Sequence, residues 1–382
     1  MWRALILIAA STGAFGQEAE QVPDSAHVTL AIGSTAPDFA LPGVDGKTHR
    51  LKDYDSSPIL AIVFTCNHCP VAQVYEDRIK RIVNDYRGKG VALVAIQPND
   101  PNALRIDEMV MSDMSDSFEE MKIRAAYRHF NYSYLYDGAT QTVANAYGPK
   151  ATPHIFIFDK ERKLRYEGRV DDNQREPLVK ILDARNAIDA LLAGKPVAVP
   201  HTGVFGCSTK WKSKAVTRIA ALKKIEAQPV TVDLVNASEL KVLRANSTGK
   251  MLLINFWATW CTSCRQEFPD LQTTFRMYQS RPFELVTVSA NGPDERDEVL
   301  KFLEQQHATT RNLLFSSTDT YALQAAFDAK WESALPYTIL IAPDGKVLYR
   351  REGEVDLLDL RRTILANLPS GYAGFREYWV TR

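Results

Sequence analysis

Cysteine is scarce in this chain of 382 residues. The five present are too few to staple a small disulfide scaffold. Net charge is absent too: 46 Lys and Arg balance 46 Asp and Glu. That balance excludes a whole-protein attraction for nucleic acid or anionic membrane. No apolar run approaches the length of a membrane-spanning helix. Apolar residues at 45% and charged residues at 24% leave no room for a disordered or low-complexity class. The length exceeds what one ordinary core holds and predicts two domains.

What is present starts at the N-terminus. Met1-Trp2-Arg3 is a short basic start, Ala4 to Ala10 is apolar, and Ala14 and Gly16 are small. That order predicts a signal peptide over residues 1–16 and a mature protein in the periplasm or secreted, without stable membrane insertion after cleavage. There, thiols meet oxidising conditions.

The chain repeats itself. Ile59 to Pro70 (ILAIVFTCNHCP) and Leu252 to Arg265 (LLINFWATWCTSCR) each run from a β-branched and aromatic stretch into Cys-x-x-Cys. A helical pattern follows each, over Ala72 to Tyr86 and Gln266 to Tyr278, and then a strand, over Val91 to Gln97 and Phe283 to Ser289. Downstream, Ala151 to Asp171 and Ala334 to Asp356 both read Ala-x-Pro, strand, turn, strand. This order predicts an α/β protein of two tandem thioredoxin-like three-layer sandwiches with mixed central sheets. The domains are expected over 31–195 and 230–370. A helix over Leu178 to Leu192 is expected to close the first domain, and a linker carrying Cys207 is expected over 196–229, with a short amphipathic helix over Val216 to Ala227.

A Cys pair spaced i, i+3 at a strand-to-helix junction can cycle between dithiol and disulfide. The first sulfur lies at the helix N-terminus, where free N–H groups and the dipole favour thiolate, and the second lies one turn on. On this logic Cys66 and Cys261 attack, and Cys69 and Cys264 resolve. Zinc would want the two pairs close together, and haem attachment would want His after the second Cys, where Pro70 and Arg265 stand. A static disulfide remains open. Pro153 and Pro336 precede the strands beside the Cys pairs. In a thioredoxin fold such prolines are cis and leave backbone open to a substrate chain. His68, inside the first motif, would stabilise thiolate and make that pair the more oxidising. Electrons would then pass from the second domain to the first, with independent action of the pairs as the alternative.

The second half, over Val230 to Leu368, resembles the periplasmic thioredoxin-like family that includes TlpA and ResA. The resemblance rests on Asn255-Phe256-Trp257-Ala258-Thr259-Trp260-Cys261, Cys264, Glu267-Phe268-Pro269 and Leu335-Pro336. It implies a role for Glu267 in the proton chemistry of the disulfide, as acceptor for Cys264; a first-turn acidic residue favoured by the helix dipole is the alternative. Ser263 stands where the family usually has Pro, so the direction of electron flow stays open. The first half, over Ala31 to Lys214, resembles the redoxin (AhpC/TSA) superfamily, closest to its peroxiredoxin-like Cys-Asn-His-Cys-Pro group. Here the carriers are Gly33 to Phe39, Phe64 to Pro70, Tyr134 to Asp137, Ala146-Tyr147-Gly148, Thr152-Pro153-His154 and Gly206 to Lys212. Peroxiredoxins place Thr three positions before the reactive Cys, whereas Thr65 adjoins Cys66 and stands four before Cys69.

The expectation is therefore an exported thiol–disulfide oxidoreductase without a cofactor, acting in redox homeostasis on protein thiols and disulfides and served by an unidentified electron donor. Supporting residues are His68, Pro153, Trp260, Glu267 and Pro336. Cys207, near Lys210, Lys212 and Lys214, is either a resolving thiol for Cys66 or a structural thiol in a flap. Two alternatives stay open: a thiol-dependent peroxidase, and a copper-binding module using Cys66, Cys69 and His154. The long stretch Asn99 to Tyr134 is expected to shape client access. The aromatic tail Tyr372 to Trp379 is expected to pack on the domain surface.

Overall fold

A computed structural model describes residues 27–332, 334–369 and 375–380. The expected signal peptide, residues 1–16, and Tyr372 lie outside the described residues. Among those described, no helix is long and apolar enough to cross a membrane.

The first half opens with a hairpin, β1 (Ala40–Pro42) and β2 (Thr48–Arg50). It continues through β3 (Ile59–Phe64), α1 (Pro70–Asp85), β4 (Val91–Gln97), α2 (Phe118–Tyr127), β5 (Ser133–Tyr136) and α3 (Thr142–Tyr147). Then come β6 (Ala151–Thr152), β7 (His154–Phe158), β8 (Leu164–Gly168), α4 (Asp183–Leu192) and β9 (Cys207–Ser208). After α5 (Ala215–Glu226), the second half comprises β10 (Asp233–Val235), α6 (Ala237–Ala245), β11 (Met251–Trp257), α7 (Thr262–Tyr278), β12 (Phe283–Ser289) and α8 (Arg296–Gln305). It ends with β13 (Arg311–Phe315), α9 (Thr320–Phe327), β14 (Tyr337–Ile341), β15 (Val347–Glu352), α10 (Leu357–Asn367) and α11 (Phe375–Val380).

Each half holds one mixed sheet, in the order β5-β4-β3-β7-β8 and β10-β13-β12-β11-β14-β15. The central strands β3 and β11 are buried at every residue, as largely apolar runs covered on both faces should be; the one polar residue in them is Asn255. Each pairs in parallel with the strand after its helix and antiparallel with the strand after a proline. The Thr152–Pro153 and Leu335–Pro336 bonds are cis. The fold is thus the predicted pair of thioredoxin-like α/β sandwiches.

Two expectations need correction. The helix expected over Leu178 to Leu192 begins only at Asp183, because Pro177 sits in a separate single turn, Glu176–Leu178. The stretch expected as a linker is packed against the first sheet. Thr202 N–H donates to the Glu167 carbonyl, β9 pairs antiparallel with β6, and Trp211 is buried in the first core. Burying Trp211 and pairing backbone groups outweighs the flexibility that the Gly and Pro content suggested.

The halves meet through the long insertion and the tail. Met111 enters the core of the second half. Tyr278 on α7 donates to the Ser112 carbonyl at 2.8 Å. Asp113 accepts from Arg124 at 3.0 Å and from Arg362 of α10 at 2.9 Å. Tyr378 and Trp379 are buried, and the Tyr378 hydroxyl donates to Glu76 of α1 at 2.8 Å.

Candidate active sites

Strand register shows that the two Cys-x-x-Cys motifs are out of phase. Phe64 pairs with His154, the residue after Pro153, and Phe256 pairs with Tyr337, the residue after Pro336. Counted from these pairs, Cys69 stands five residues on, as Cys261 does, whereas Cys66 matches Ala258. The helices agree: Cys69 is the N-cap of α1 and Cys261 the N-cap of α7. The expectation that Cys66 lies at the helix N-terminus is therefore corrected. Pro70 is the cause, because its fixed φ and missing N–H suit the first helical position and start α1 after Cys69.

In the second site Cys261 and Cys264 form a disulfide with an S–S distance of 2.06 Å. Cys264 N–H donates to Cys261 Sγ at 3.2 Å, so the helix N-terminus stabilises charge on that sulfur. Asn291 braces the preceding loop by accepting from Thr259 N–H at 2.9 Å. Trp260, next to Cys261, is 63% exposed. Glu267 is buried on the first turns of α7. Its Oε1 accepts from Asn255 Nδ2 at 3.0 Å and its Oε2 from Val355 N–H at 3.1 Å. Burial pushes its pKa up to about 7, against the two hydrogen bonds that favour the carboxylate.

The first site contains three free thiols. Cys66 and Cys69 are buried and Cys207 is half-buried. Cys66 Sγ lies 3.1 Å from Thr152 Oγ1, and Cys69 Sγ lies 3.2 Å from the Thr152 carbonyl. Cys207 N–H donates to Cys69 Sγ at 3.2 Å. Burial opposes ionisation of Cys69, but hydrogen bonds from the Cys207 and Cys66 thiols, the charge of His68 and the Ala72 N–H outweigh it. The Cys69 pKa therefore falls well below the ordinary thiol range. Burial, and donation to Cys69, push the Cys66 pKa up. Donation to Cys69, and burial, do the same for Cys207.

Asp116, from the insertion, clamps the loop between the cysteines. It accepts from Asn67 N–H at 2.9 Å, from His68 N–H at 3.0 Å and from Asn99 Nδ2 at 2.7 Å, and it pairs with His68 Nδ1 at 2.6 Å. Burial opposes charge on His68, but the Asp116 carboxylate overrides it and raises the pKa, which favours the protonated form beside Cys69. Asp116 belongs to no local motif, and sequence reasoning missed it; a lone Asp within a long insertion carries no spacing signal.

His154 does not complete the alternative metal set of Cys66, Cys69 and His154. Its Nε2 pairs with Glu167 at 2.7 Å and its Nδ1 accepts from Lys150 N–H at 3.3 Å, so both nitrogens are engaged. Cys66, His68 and Asp116 do lie within reach of a common point, but the Asp116 oxygens are already bonded as described. Pro153 and Pro336 follow their cis bonds directly before β7 and β14, the strands that pair with β3 and β11.

Two thioredoxin-like domains, each with a cysteine at the N-cap of the helix that follows its central strand, define a thiol-based redox class of fold. The sequence pattern of the AhpC/TSA family matches residues 32–167 and 223–350, and the chain belongs to that family. A thiol-disulfide oxidoreductase, ResA, of Bacillus subtilis is 34% identical over 100 residues, covering 26% of this chain and 51% of the relative. ResA of Bacillus thuringiensis (strain Al Hakam) is 29% identical over 116 residues, covering 30% and 60%. The chain thus spans about half the length of these relatives. Among solved structures, an uncharacterized conserved protein from Geobacillus kaustophilus is 40% identical, covering 48% of this chain and 93% of its own, with a TM-score of 0.43. A hypothetical protein from Sinorhizobium meliloti is 34% identical, covering 49% and 97%, also with a TM-score of 0.43.

Proposed function

We propose that the protein is an exported thiol–disulfide oxidoreductase that exchanges disulfides with protein clients, with its second domain as the client-facing site. The observation that carries this reading is the Cys261–Cys264 disulfide at the N-terminus of α7, with Cys264 N–H on the first sulfur and Trp260 exposed beside it. In the dithiol state Cys261 thiolate attacks a client sulfur, forming a mixed disulfide and releasing the client's other thiolate. Cys264 then gives its proton to Glu267 and attacks Cys261, which restores the disulfide and frees the client as a dithiol. The ResA relatives are named for this chemistry. The basic, apolar and small residues over 1–16 support export to the periplasm or beyond.

The same steps run in reverse when a client dithiol reduces the Cys261–Cys264 disulfide, and transfer of those electrons from the second domain to the first completes the reading. His68, whose charged form Asp116 favours, supports the thiolate form in the first domain and so makes its disulfide the better oxidant. The test is to equilibrate the protein in glutathione buffers of graded potential, trap thiols by alkylation and map each Cys by mass spectrometry. The reading requires two reversible couples, with the first-domain couple reduced at the higher potential. A Cys261–Cys264 pair that never cycles sinks it.

A further inference from the structure

A short segment, residues 205–208, lies against Cys69, with Cys207 N–H on its sulfur at 3.2 Å. Phe205 packs against Tyr75 with ring centroids 6.1 Å apart, and Cys207–Ser208 pair as β9 with Ala151–Thr152 of β6. The segment is tied on both sides. Thr202 Oγ1 lies 2.7 Å from the Tyr166 hydroxyl, and Thr209 Oγ1 donates to the Pro149 carbonyl at 2.7 Å. Gly206 allows the close approach: its φ is +142°, and a Cβ there would lie 2.0 Å from the Thr152 carbonyl oxygen. A residue with a side chain would lift the strap. The pairing sets Cys207 opposite Thr152, the residue that touches both Cys66 and Cys69, and points its N–H at Cys69 Sγ. Cys69 itself is 0% exposed. Two sulfurs adjoin it in this state, Cys66 from the loop before α1 and Cys207 from the strap, and Cys207 also presents its backbone N–H.

We propose that Cys69 and Cys207 form the working disulfide of the first domain, with the strap 205–208 acting as a tethered, substrate-like strand that presents Cys207 to Cys69. The inference rests on the reading that the first domain exchanges disulfides, and it assigns the pair that does so. A low-molecular-weight disulfide, or the disulfide of another thiol protein, is the oxidant. When the strap opens, Cys69 thiolate attacks one sulfur of that disulfide. A Cys69 mixed disulfide forms, and the oxidant's other half leaves as a thiolate and takes up a proton. Cys207 then loses its proton and attacks Cys69, and the second half leaves as a thiol. Two protein thiols are oxidised and one external disulfide is reduced. Cys66 stays a thiol and donates its hydrogen bond to Cys69, consistent with its position at the place of Ala258 rather than of a helix-capping sulfur.

The full chain is reduced, desalted, exposed to oxidised glutathione, quenched with N-ethylmaleimide, digested and mapped. The expected first-domain product links the peptide bearing Cys207 to the peptide bearing Cys69. The link persists in Cys66→Ser and is lost in Cys69→Ser and Cys207→Ser, and Cys207→Ser accumulates glutathione on Cys69. Gly206→Ala lifts the strap and raises alkylation of Cys69 by about tenfold, as expected where a tight contact is overpacked. A Cys66–Cys69 disulfide with Cys207 left alkylated overturns the inference while leaving first-domain exchange standing. Absence of any first-domain disulfide overturns both. Unchanged Cys69 alkylation in Gly206→Ala overturns the role of the strap.

Discussion

Glu267→Gln is the sharpest probe of the second site. The substitution keeps the length and planar shape of the side chain, and its carbonyl oxygen can still accept from Asn255 Nδ2 or Val355 N–H. One of the two hydrogen bonds is lost, which costs about 1 kcal/mol and leaves the fold in place. What disappears is a proton acceptor with a pKa of about 7, three residues beyond Cys264 on the same helix. General bases contribute roughly 10²–10⁴-fold, but the thiol sets a lower ceiling here. A thiol of pKa about 8.5 is already roughly 3% ionised at pH 7, so complete deprotonation gains no more than about 30-fold. Closure of the Cys261–Cys264 disulfide should therefore slow by about 10- to 30-fold at pH 7 in the variant. The deficit should vanish by about pH 9, where the thiol ionises unaided. The assay mixes reduced protein with excess oxidised glutathione, quenches with acid, and follows both the Cys261–glutathione adduct and the closed disulfide between pH 6 and 9. Accumulation of the adduct in Glu267→Gln at neutral pH is the expected signature. Equal closure rates, or a deficit that persists unchanged to pH 9, would show that Glu267 does not accept the proton.

The same carboxyl should leave a mark on stability. Its folded pKa lies above the ordinary carboxylate value, so the folded state holds the proton more tightly and stability falls as pH rises from about 4.5 through about 7. The fall should be about 1–2 kcal/mol after discounting for partial solvent screening, and chemical denaturation of Glu267→Gln should lack it. Asp116→Asn should destabilise the first domain by about 3–5 kcal/mol, because it strips the partner from buried His68. Since the folded pKa of His68 is raised, its contribution is present below about pH 6.5 and lost as pH rises through the folded value; denaturation curves should show that dependence in the parent and not in the variant. Tyr378→Phe should cost about 1.5–3 kcal/mol, the range for a hydrogen bond to a charged group, read as a lowered urea midpoint. Trp260→Ala should raise KM for a protein disulfide and leave exchange with oxidised glutathione unchanged, since the exposed ring lies beside the sulfur rather than beneath it.

Much of the fold was legible because its central strands are unusually plain. Ile59 to Phe64 is apolar throughout and Met251 to Trp257 is apolar but for Asn255, a pattern suited to strands covered on both faces. Val91 to Gln97 and Phe283 to Ser289 begin and end where the pattern predicts. The phase of the first motif was misread because Cys-x-x-Cys was laid on Cys-x-x-Cys. The signal that corrects it stands in the same line of sequence: Pro70 marks a helix start, and the count from the aromatic end of each strand, Phe64 or Phe256, reaches Cys69 and Cys261 alike. Asp116 had no such signal, because its partners His68 and Asn67 are brought to it only by the folding of a long insertion. Gly206 lay beside Cys207 in plain view, but the closeness of Thr152 that makes glycine necessary is a tertiary fact.

On the proposed reading the two sites carry the same thiol chemistry and differ in who can reach them. A buried thiolate has lost the water that would stabilise it, so the first site must supply that stabilisation from within. It does so with the helix N-terminus, the Cys207 N–H, two neighbouring thiols and His68. Each of these groups also fills space that a client chain would need. The second site has an exposed Trp260 beside one disulfide, and its first cysteine is 8% exposed against 0% for Cys69. The insertion joins them physically: Ser112 lies within hydrogen-bond reach of the Asn67 carbonyl and accepts through its own carbonyl from Tyr278, while Asp113 and Asp116 tie the same segment to α10 and to His68. A change of oxidation state at Cys66 to Cys69 that moves Asn67 must therefore strain contacts held by the second domain. On the proposed reading, a strap-closed oxidant and the client-facing site share one hydrogen-bonded segment, and that connection gives a relay between the domains a structural basis that two independent modules on a flexible tether would lack.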